Sequence, residues 1–132
     1  DTYQPRLRGM RDDAKRLVLK APPLFCASAA EPALRGTPRT ILLDVPCSGL
    51  GTLARHPDLR TLRTPGQVAG LVDLQRRILD AVWSYLPSGG HLAYITCTMN
   101  PAENERQLDA FLARTPGASL EKQWQSTPSA AI

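Results

Sequence analysis

The chain has little of what stabilises a small secreted domain or builds a metal site. Three cysteines are an odd number without the spacing of a disulfide framework, and no C-x-x-C motif occurs. Three thiols and two scattered histidines also lack the spacing of zinc ligands, so we expect no metal. The chain opens without a signal-peptide pattern. Together these absences favour a reducing, cytoplasmic setting.

Long apolar runs and aromatic residues are scarce as well. No apolar run approaches the roughly 18 residues that a membrane-spanning helix requires, so we expect no membrane partner. The composition, with 42% hydrophobic, 21% charged and 5% aromatic residues, is typical of a soluble α/β protein. With 132 residues the chain is at most one domain, and it can bury a core without disulfides or metals.

Positive charge is in excess and unevenly placed. The net charge is +4, which an ordinary basic surface explains as well as a polyanionic partner does. One group of basic residues lies between Arg6 and Lys20, and a second follows Cys47 and includes Arg55 and His56. Because the second group adjoins a candidate active site, Arg55 and His56 are candidate phosphate contacts for a nucleic acid. A solvated loop face accounts for them equally well.

The order of elements predicts an α/β fold with a mostly parallel, Rossmann-like sheet. Apolar residues recur at helical spacing in three segments, and two continuous apolar runs without alternation indicate strands, the first of them buried on both faces of the sheet. Strands that alternate with helices favour parallel pairing. Helices are predicted over 5–20, over 67–86 and from the N-cap Asn100 with the capping-box acid Glu103 to about Arg114, strands over 24–26, 41–45 and 91–97, and loops over 46–66 and 115–132.

Two cysteines lie at the ends of the two apolar runs. Cys47 follows the first run and Cys97 ends the second, and α/β sheets carry out their chemistry outside the carboxyl ends of strands. Asp44 ends the first run, where an aspartate is costly unless it is bonded. Cys97 precedes a predicted helix N-terminus, whose dipole would lower the pKa of the thiol. A two-thiol active site and a pair of structural thiols both stay open, whereas Cys26 is predicted to lie in the core.

A glycine pattern after the first strand offers a different reading. Residues 49–54 match the G-x-G-x-x-A pattern of dinucleotide-binding loops. However, Pro57 interrupts the helix that should hold the pyrophosphate, and no strand that ends in an acidic residue follows at the expected spacing. A small-molecule α/β protein that uses this loop therefore stays a less favoured alternative. Demonstrated binding of a nicotinamide cofactor would be needed to support it.

These motifs resemble the Sun (Fmu) family of S-adenosylmethionine-dependent RNA cytosine-5 methyltransferases. Residues 44–49 (D-V-P-C-S-G) are similar to the family's D-A-P-C-S-G, and the basic loop that follows is matched by 55–58. Residues 75–90 follow its Q-x-x-I-L…W…G-G stretch, and 96–105 resemble its T-C-S…P-E-E-N-E block. Asp1 resembles the acid of the second strand, and the match spans nearly all of residues 1–114.

The resemblance implies the fold of a Rossmann-like methyltransferase and a role for each site residue. Cys97 would be the nucleophile that adds to C6 of a cytosine, and Cys47 would help to release the product. Asp44 would hold the ring near N3 and lie close to the methyl group of the cofactor, S-adenosylmethionine, with Asp1 and Pro46 as further cofactor contacts. The partner would be RNA, with ribosomal RNA as the expected substrate, gripped at its phosphates by the basic loop.

Departures from the family pattern concern the cofactor. The family's glycine-rich cofactor loop would lie before Asp1, its closing strands would lie beyond residue 114, and Ala27 stands where the family carries an acid. We therefore expect residues 1–114 to be a truncated catalytic domain without the first βα unit, and 115–132 to be a tail. Alone, this chain is expected to bind the cofactor weakly or not at all. The alternative is a non-catalytic fragment or degenerate relative that keeps the fold and some RNA affinity.

Overall fold

The computed structural model of the protein describes residues 2–126 and shows helices that alternate with strands. The elements are α1 (Gln4–Arg16), β1 (Thr40–Asp44), α2 (Leu59–Leu62), α3 (Pro65–Trp83), β2 (His91–Ile95) and α4 (Glu105–Arg114), with 3-10 turns at Leu50–Thr52 and Pro101–Glu103. This order confirms the predicted α/β class. No helix of the described residues is long and apolar enough to cross a membrane.

The two strands form a parallel pair, as predicted. The register joins Thr40 to His91 at one end and Asp44 to Ile95 at the other. The backbone N–H of Val45 donates to the Ile95 carbonyl at 3.1 Å and extends the pairing by one step. Because parallel strands run in the same direction, the loops that follow β1 and β2 leave the sheet at the same edge.

The core lies on one face of this sheet. Its buried side chains come from β1 and the residue after it, from α3 and from α4: Leu43, Val45, Ile78, Leu79, Val82 and Phe111. On the opposite face Leu42 is 74% exposed and Ile95 is 45% exposed. The expectation that the first strand is buried on both faces is therefore wrong for the described residues, because α3 and α4 pack on the same side.

Helix α3 begins two residues earlier than predicted because a capping box defines its start. The Thr64 hydroxyl accepts from the Gln67 N–H at 3.3 Å, and the Gln67 side chain accepts from the Thr64 N–H at 3.0 Å. Pro65 occupies the first helical turn, where its missing N–H costs nothing. The helix ends at Trp83 rather than at the predicted residue 86.

Helix α4 begins later than predicted. Asn100 caps only a 3-10 turn, with its side-chain oxygen accepting from the Ala102 N–H at 3.1 Å. The predicted capping box is absent, because the Glu103 carboxylate turns inward and accepts from Ser48 instead. The α-helix therefore starts at Glu105.

The N-terminal part departs most from expectation. Helix α1 stops at Arg16 because the chain turns left-handed at Val18, with φ of 56°, and the Leu19 N–H donates back to the Ala14 carbonyl. Residues 24–26 form no strand, and Cys26 is exposed with its thiol donating to the Thr2 carbonyl at 3.4 Å, so both predictions there are wrong. No strand forms between α1 and β1, so this segment adds no third strand to the β1–β2 pair.

Of the two segments predicted as loops, the first contains helical turns and the second does not. The stretch 46–66 contains the 3-10 turn and α2, so it is a structured connection rather than an open loop. Residues 115–126 form no helix or strand, although Ala118 packs against the core. The division into a domain over 1–114 and a tail over 115–132 stays a prediction, and 127–132 lie outside the described residues.

Candidate active site

The two strand-end thiols meet in space. Cys47 Sγ lies 3.2 Å from Cys97 Sγ, and the backbone N–H of Cys97 donates to Cys47 Sγ at 3.4 Å. Cys97 is exposed and Cys47 is half-buried, and neither forms a disulfide. The pair is therefore open to solvent and to a ligand at the carboxyl edge of the sheet. This exposure does not fit the alternative in which both cysteines are structural thiols of the core.

Asp44 and Pro46 flank this pair at the end of β1. Both side chains are exposed, and within residues 2–126 the Asp44 carboxylate forms no hydrogen bond or ion pair. The prediction that Asp44 lies in an apolar setting and needs a bonding partner there is therefore wrong. Its exposure instead leaves the carboxylate available to a ligand. The Pro46 carbonyl accepts from Gln75 Nε2 at 2.9 Å, which anchors the backbone between Asp44 and Cys47.

The thiol of Cys97 has a raised rather than a lowered pKa. Partial burial, a hydrogen bond with Cys47 and the charges of Cys47 and Asp44 together raise the pKa of Cys97 to about 11. The predicted helix dipole does not act here, since only a three-residue 3-10 turn follows at Pro101–Glu103. Without a ligand, the Cys97 thiol is therefore protonated at neutral pH.

This protonation state predicts the pH profile of thiol modification. Alkylation of Cys97 by iodoacetamide should accelerate up to about pH 11, because the thiolate is the reacting form and the pKa of Cys97 is about 11. Peptide mass spectrometry of reactions quenched across a pH series gives the rate at Cys97 alone. In Cys47→Ala the midpoint should move to lower pH, since the neighbouring sulfur is removed. A wild-type midpoint near the ordinary thiol value of about 8.5 would contradict this account.

Gly51 brings the loop after Cys47 against the loop of Cys97. Its N–H donates to the Cys97 carbonyl at 3.0 Å, and a Cβ at this position would lie only 2.8 Å from that same oxygen. Glycine is required by this close approach of two backbones. The G-x-G-x-x-A pattern thus leads into a 3-10 turn that supports the thiol site, and the next helix, Leu59–Leu62, has four residues.

A buried polar network lies directly beneath the thiols, and sequence reasoning did not identify it as part of the site. Its members are Ser48 and Thr98, each the residue after a cysteine, together with Gln75 and Glu103. All four are buried, and the Ser48 hydroxyl lies 2.8 Å from the Thr98 hydroxyl. A usable signal was present, since polar residues directly after two strand-end cysteines must share one sheet edge when the strands are parallel.

The predicted phosphate contacts lie on the connection from the 3-10 turn to α2. Arg55 and His56 are exposed, and their backbone N–H groups both donate to the Thr52 carbonyl at 2.9 Å. Their side chains form no hydrogen bond within the described part of the chain. Nearby, a cavity of about 610 Å³ is lined by Arg60 and Arg63, and Arg63 Nε donates to the Ser48 carbonyl at 3.0 Å. Arg63 therefore places a positive charge next to the residue that follows Cys47.

The remaining predicted site positions are not assembled by the described residues. Asp1 lies outside them, and Ala27 is half-buried in an irregular stretch. Among residues 2–126 no group of three or more potential metal ligands comes together.

Comparison with known proteins gives consistent matches. The profile of a family described as 16S rRNA methyltransferase RsmB/F matches residues 1–131. Ribosomal RNA small subunit methyltransferase B from Vibrio cholerae is 44% identical over 123 residues, covering 91% of this chain and 28% of the relative. Its namesake from Escherichia coli O1:K1 is 42% identical over 129 residues, with the same two coverages. The chain thus spans less than a third of the length of these curated relatives.

Solved structures match as well. NSun6 from Pyrococcus horikoshii, crystallised with the S-adenosylmethionine analogue SFG, has a TM-score of 0.76 and 34% identity over 86% of this chain and 29% of its own. A methyltransferase homolog protein from the same organism has a TM-score of 0.73 and 33% identity, covering 86% of this chain and 35% of its own. These structures confirm the predicted Rossmann-like methyltransferase fold class. RsmB/F methyltransferases use S-adenosylmethionine, as the resemblance implied.

Proposed function

This chain belongs to the RsmB/F family of 16S rRNA methyltransferases, and we propose that it carries the thiol chemistry of a ribosomal RNA cytosine-5 methyltransferase. The observation that carries the proposal is the pair of sulfur atoms 3.2 Å apart at the carboxyl edge of two parallel strands. The charge of Asp44 acts on the same thiol, Cys97. RNA as the partner and the cytoplasm as the location belong to this proposal.

Two thiols suit this reaction because C5 of cytosine is a poor nucleophile until the ring is activated. The Cys97 thiol gives up its proton and its Sγ bonds to C6, while the electron pair of the C5–C6 double bond moves toward C5 and N3 takes up a proton. C5 would then receive the methyl group. When a base removes the proton on C5, its electron pair restores the double bond, the Sγ–C6 bond breaks, and the sulfur recovers a proton as N3 loses one. Cys47, at 3.2 Å from Cys97 Sγ, is placed to assist this release.

The other residues hold the RNA. An exposed carboxylate at Asp44 can bond the ring near N3 and stabilise the charge that develops there as Cys97 adds. The base must leave its stack to reach this edge, as in other enzymes that act on a base. Arg55 and His56 are exposed on the connection that follows Cys47 and can bind phosphates of the flanking strand.

S-adenosylmethionine supplies an electrophilic methyl group when it is bound. Asp44 and Pro46 fit a cofactor contact, since both are exposed at the end of β1 and the Asp44 carboxylate is unpaired within residues 2–126. Asp1 stays a predicted contact. Because Ala27 offers no carboxylate, the described residues present only part of a cofactor site, which supports the expectation that this chain alone binds the cofactor weakly or not at all.

Methyl transfer to RNA tests the proposal. Labelled S-adenosylmethionine and 16S rRNA are incubated with this chain and with a protein of the relatives' length that contains it, and the product nucleoside is identified by mass spectrometry. The longer protein should form 5-methylcytosine, and Cys97→Ala should abolish it, because the activating thiol is lost.

The same assay separates the alternatives. Cys26→Ala is the matched control, since Cys26 is an exposed thiol whose one hydrogen bond among residues 2–126 is to the Thr2 carbonyl. Its activity should equal that of the wild type. Normal 5-methylcytosine formation by Cys97→Ala would disprove the assigned mechanism. RNA binding without methylation, by the longer protein as well as by this chain, would favour the degenerate relative instead.

A further inference from the structure

We infer that Glu103 is a positioning residue that ties the two cysteine loops into one unit through Ser48 and Thr98. This inference rests on the proposed function, because it assigns to the thiol pair a support that sets the efficiency of the reaction. Glu103 does not face the thiols. It acts one layer below them, on the residue that follows each cysteine.

The Glu103 carboxylate is fully buried, with 0% of the residue exposed. Its Oε1 accepts from the Ser48 backbone N–H at 2.7 Å and from Gln75 Nε2 at 3.1 Å. Its Oε2 accepts from the Ser48 hydroxyl at 2.5 Å and from Asn100 Nδ2 at 3.4 Å. Both oxygens therefore have partners from the first cysteine loop and from another element.

Hydrogen-bond directions make this network a continuous chain between the two loops. The Ser48 hydroxyl has one proton, which it donates to Glu103, so the Thr98 hydroxyl must donate to Ser48 across their 2.8 Å contact. Thr98 Oγ1 in turn accepts from the Asn100 N–H at 3.2 Å. Because a carboxylate only accepts, Glu103 sets the direction of the whole chain.

Helix α3 holds the carboxylate of Glu103, and the end of β2 holds the backbone of the same residue. Gln75 Nε2 is shared between Glu103 and the Pro46 carbonyl, so it holds the backbone before Cys47 as well as the carboxylate. The Tyr94 hydroxyl donates to the Glu103 carbonyl at 2.9 Å. The position of each sulfur thus depends on one buried group that contacts neither of them.

Glu103→Gln is the sharpest test because it keeps the size of the side chain but turns one acceptor into a donor. That donor then faces groups that are themselves donors, and a network with unmatched members loses its geometry. In a protein of the relatives' length, kcat for RNA methylation should fall about 100-fold, the effect expected from a shift of roughly 1 Å at the reacting groups. The KM for RNA should stay unchanged, since Glu103 does not contact RNA.

Thiol cross-linking gives a second readout that does not depend on methylation. Diamide takes two electrons and two protons from Cys47 and Cys97 and leaves a disulfide, which requires the sulfurs to close from 3.2 Å to about 2.05 Å. Wild-type protein should cross-link rapidly, and Glu103→Gln should cross-link more slowly. The isosteric Thr98→Val removes the hydroxyl that joins Ser48 and that accepts from the Asn100 N–H, and it leaves Glu103 in place. It provides the same test if Glu103→Gln does not fold.

Gln107→Ala is the matched control. Gln107 is also buried and donates from Nε2 to the Val72 carbonyl at 2.7 Å, but it lies on α4 away from the cysteine loops. It should leave kcat and cross-linking unchanged. Equal losses in Gln107→Ala and Glu103→Gln, or wild-type rates in both Glu103→Gln and Thr98→Val, would overturn the inference. If wild-type protein forms no 5-methylcytosine, the proposed function fails, and the cross-linking rates still decide whether Glu103 positions the thiols.

Discussion

Replacing Cys47 with alanine is expected to trap the RNA on the protein through Cys97. In the proposed reaction Cys47 assists only the release, so Cys47→Ala should still attack C6 but should break the Sγ–C6 bond about 10²–10⁴-fold more slowly, the usual contribution of a proton-transfer group. With RNA, S-adenosylmethionine and a protein of the relatives' length, the adduct is measured as a band that survives denaturing electrophoresis.

The double variant Cys47→Ala/Cys97→Ala is the control for this trapping. It should form no band, because the nucleophile is absent, and a band that persists would show that another group bonds to the RNA. If Cys47→Ala instead turns over at the wild-type rate without an adduct, Cys47 has no role in release. The 3.2 Å contact between the sulfurs would then be a matter of packing.

Gly51→Ala should lower both the stability of the fold and the rate of methyl transfer. The new Cβ would lie 2.8 Å from the Cys97 carbonyl oxygen and 3.3 Å from its carbon, and neither backbone atom can rotate away. Overpacking of this kind typically costs about 1–3 kcal/mol of unfolding free energy. The displaced Cys97 loop should also lower methyl transfer about 100-fold in a protein of the relatives' length. Denaturant unfolding and the RNA methylation assay measure the two losses.

Gly70→Ala offers a control within the same chain. Gly70 lies inside α3, and apart from its chain neighbours and the adjoining helix backbone no described atom lies within 4 Å of the position of its missing Cβ. Alanine there should stabilise the protein by about 0.5–1 kcal/mol and leave methylation unchanged. If Gly51→Ala were as harmless as Gly70→Ala, the close approach of the two backbones would not constrain the site.

The features that could be predicted from the sequence are those that depend on neighbours along the chain. Two unbroken apolar runs separated by a helical pattern predict parallel strands, and parallel strands place the residues that follow them at one edge. The amino-acid sequence alone therefore predicts that Cys47 and Cys97 lie near each other. The family motifs add their expected roles.

The features that could not be predicted depend on partners far away in sequence. Glu103 looks like a capping-box acid by its spacing from Asn100, yet it bonds to Ser48, 55 residues away, so α4 starts later. The upward shift of the Cys97 pKa also depends on a distant partner, because burial and the thiol of Cys47 raise this pKa. The local pattern had predicted a lowered pKa from a helix dipole that is missing. Contacts of this kind cannot be predicted from the residues that adjoin Glu103 or Cys97 in the sequence.

The parallel pairing of β1 and β2 also has a consequence for how the chain folds. Cys47 and Cys97 are 50 residues apart, so their contact, like the Ser48–Thr98 bond, can form only after a long stretch of chain has closed. Closing such a loop costs entropy before any contact repays it, which makes non-local pairing slow. The capped helix α3 can form from local contacts alone. We therefore expect the reactive site to be completed late in the folding of this chain, after the helix that supports it.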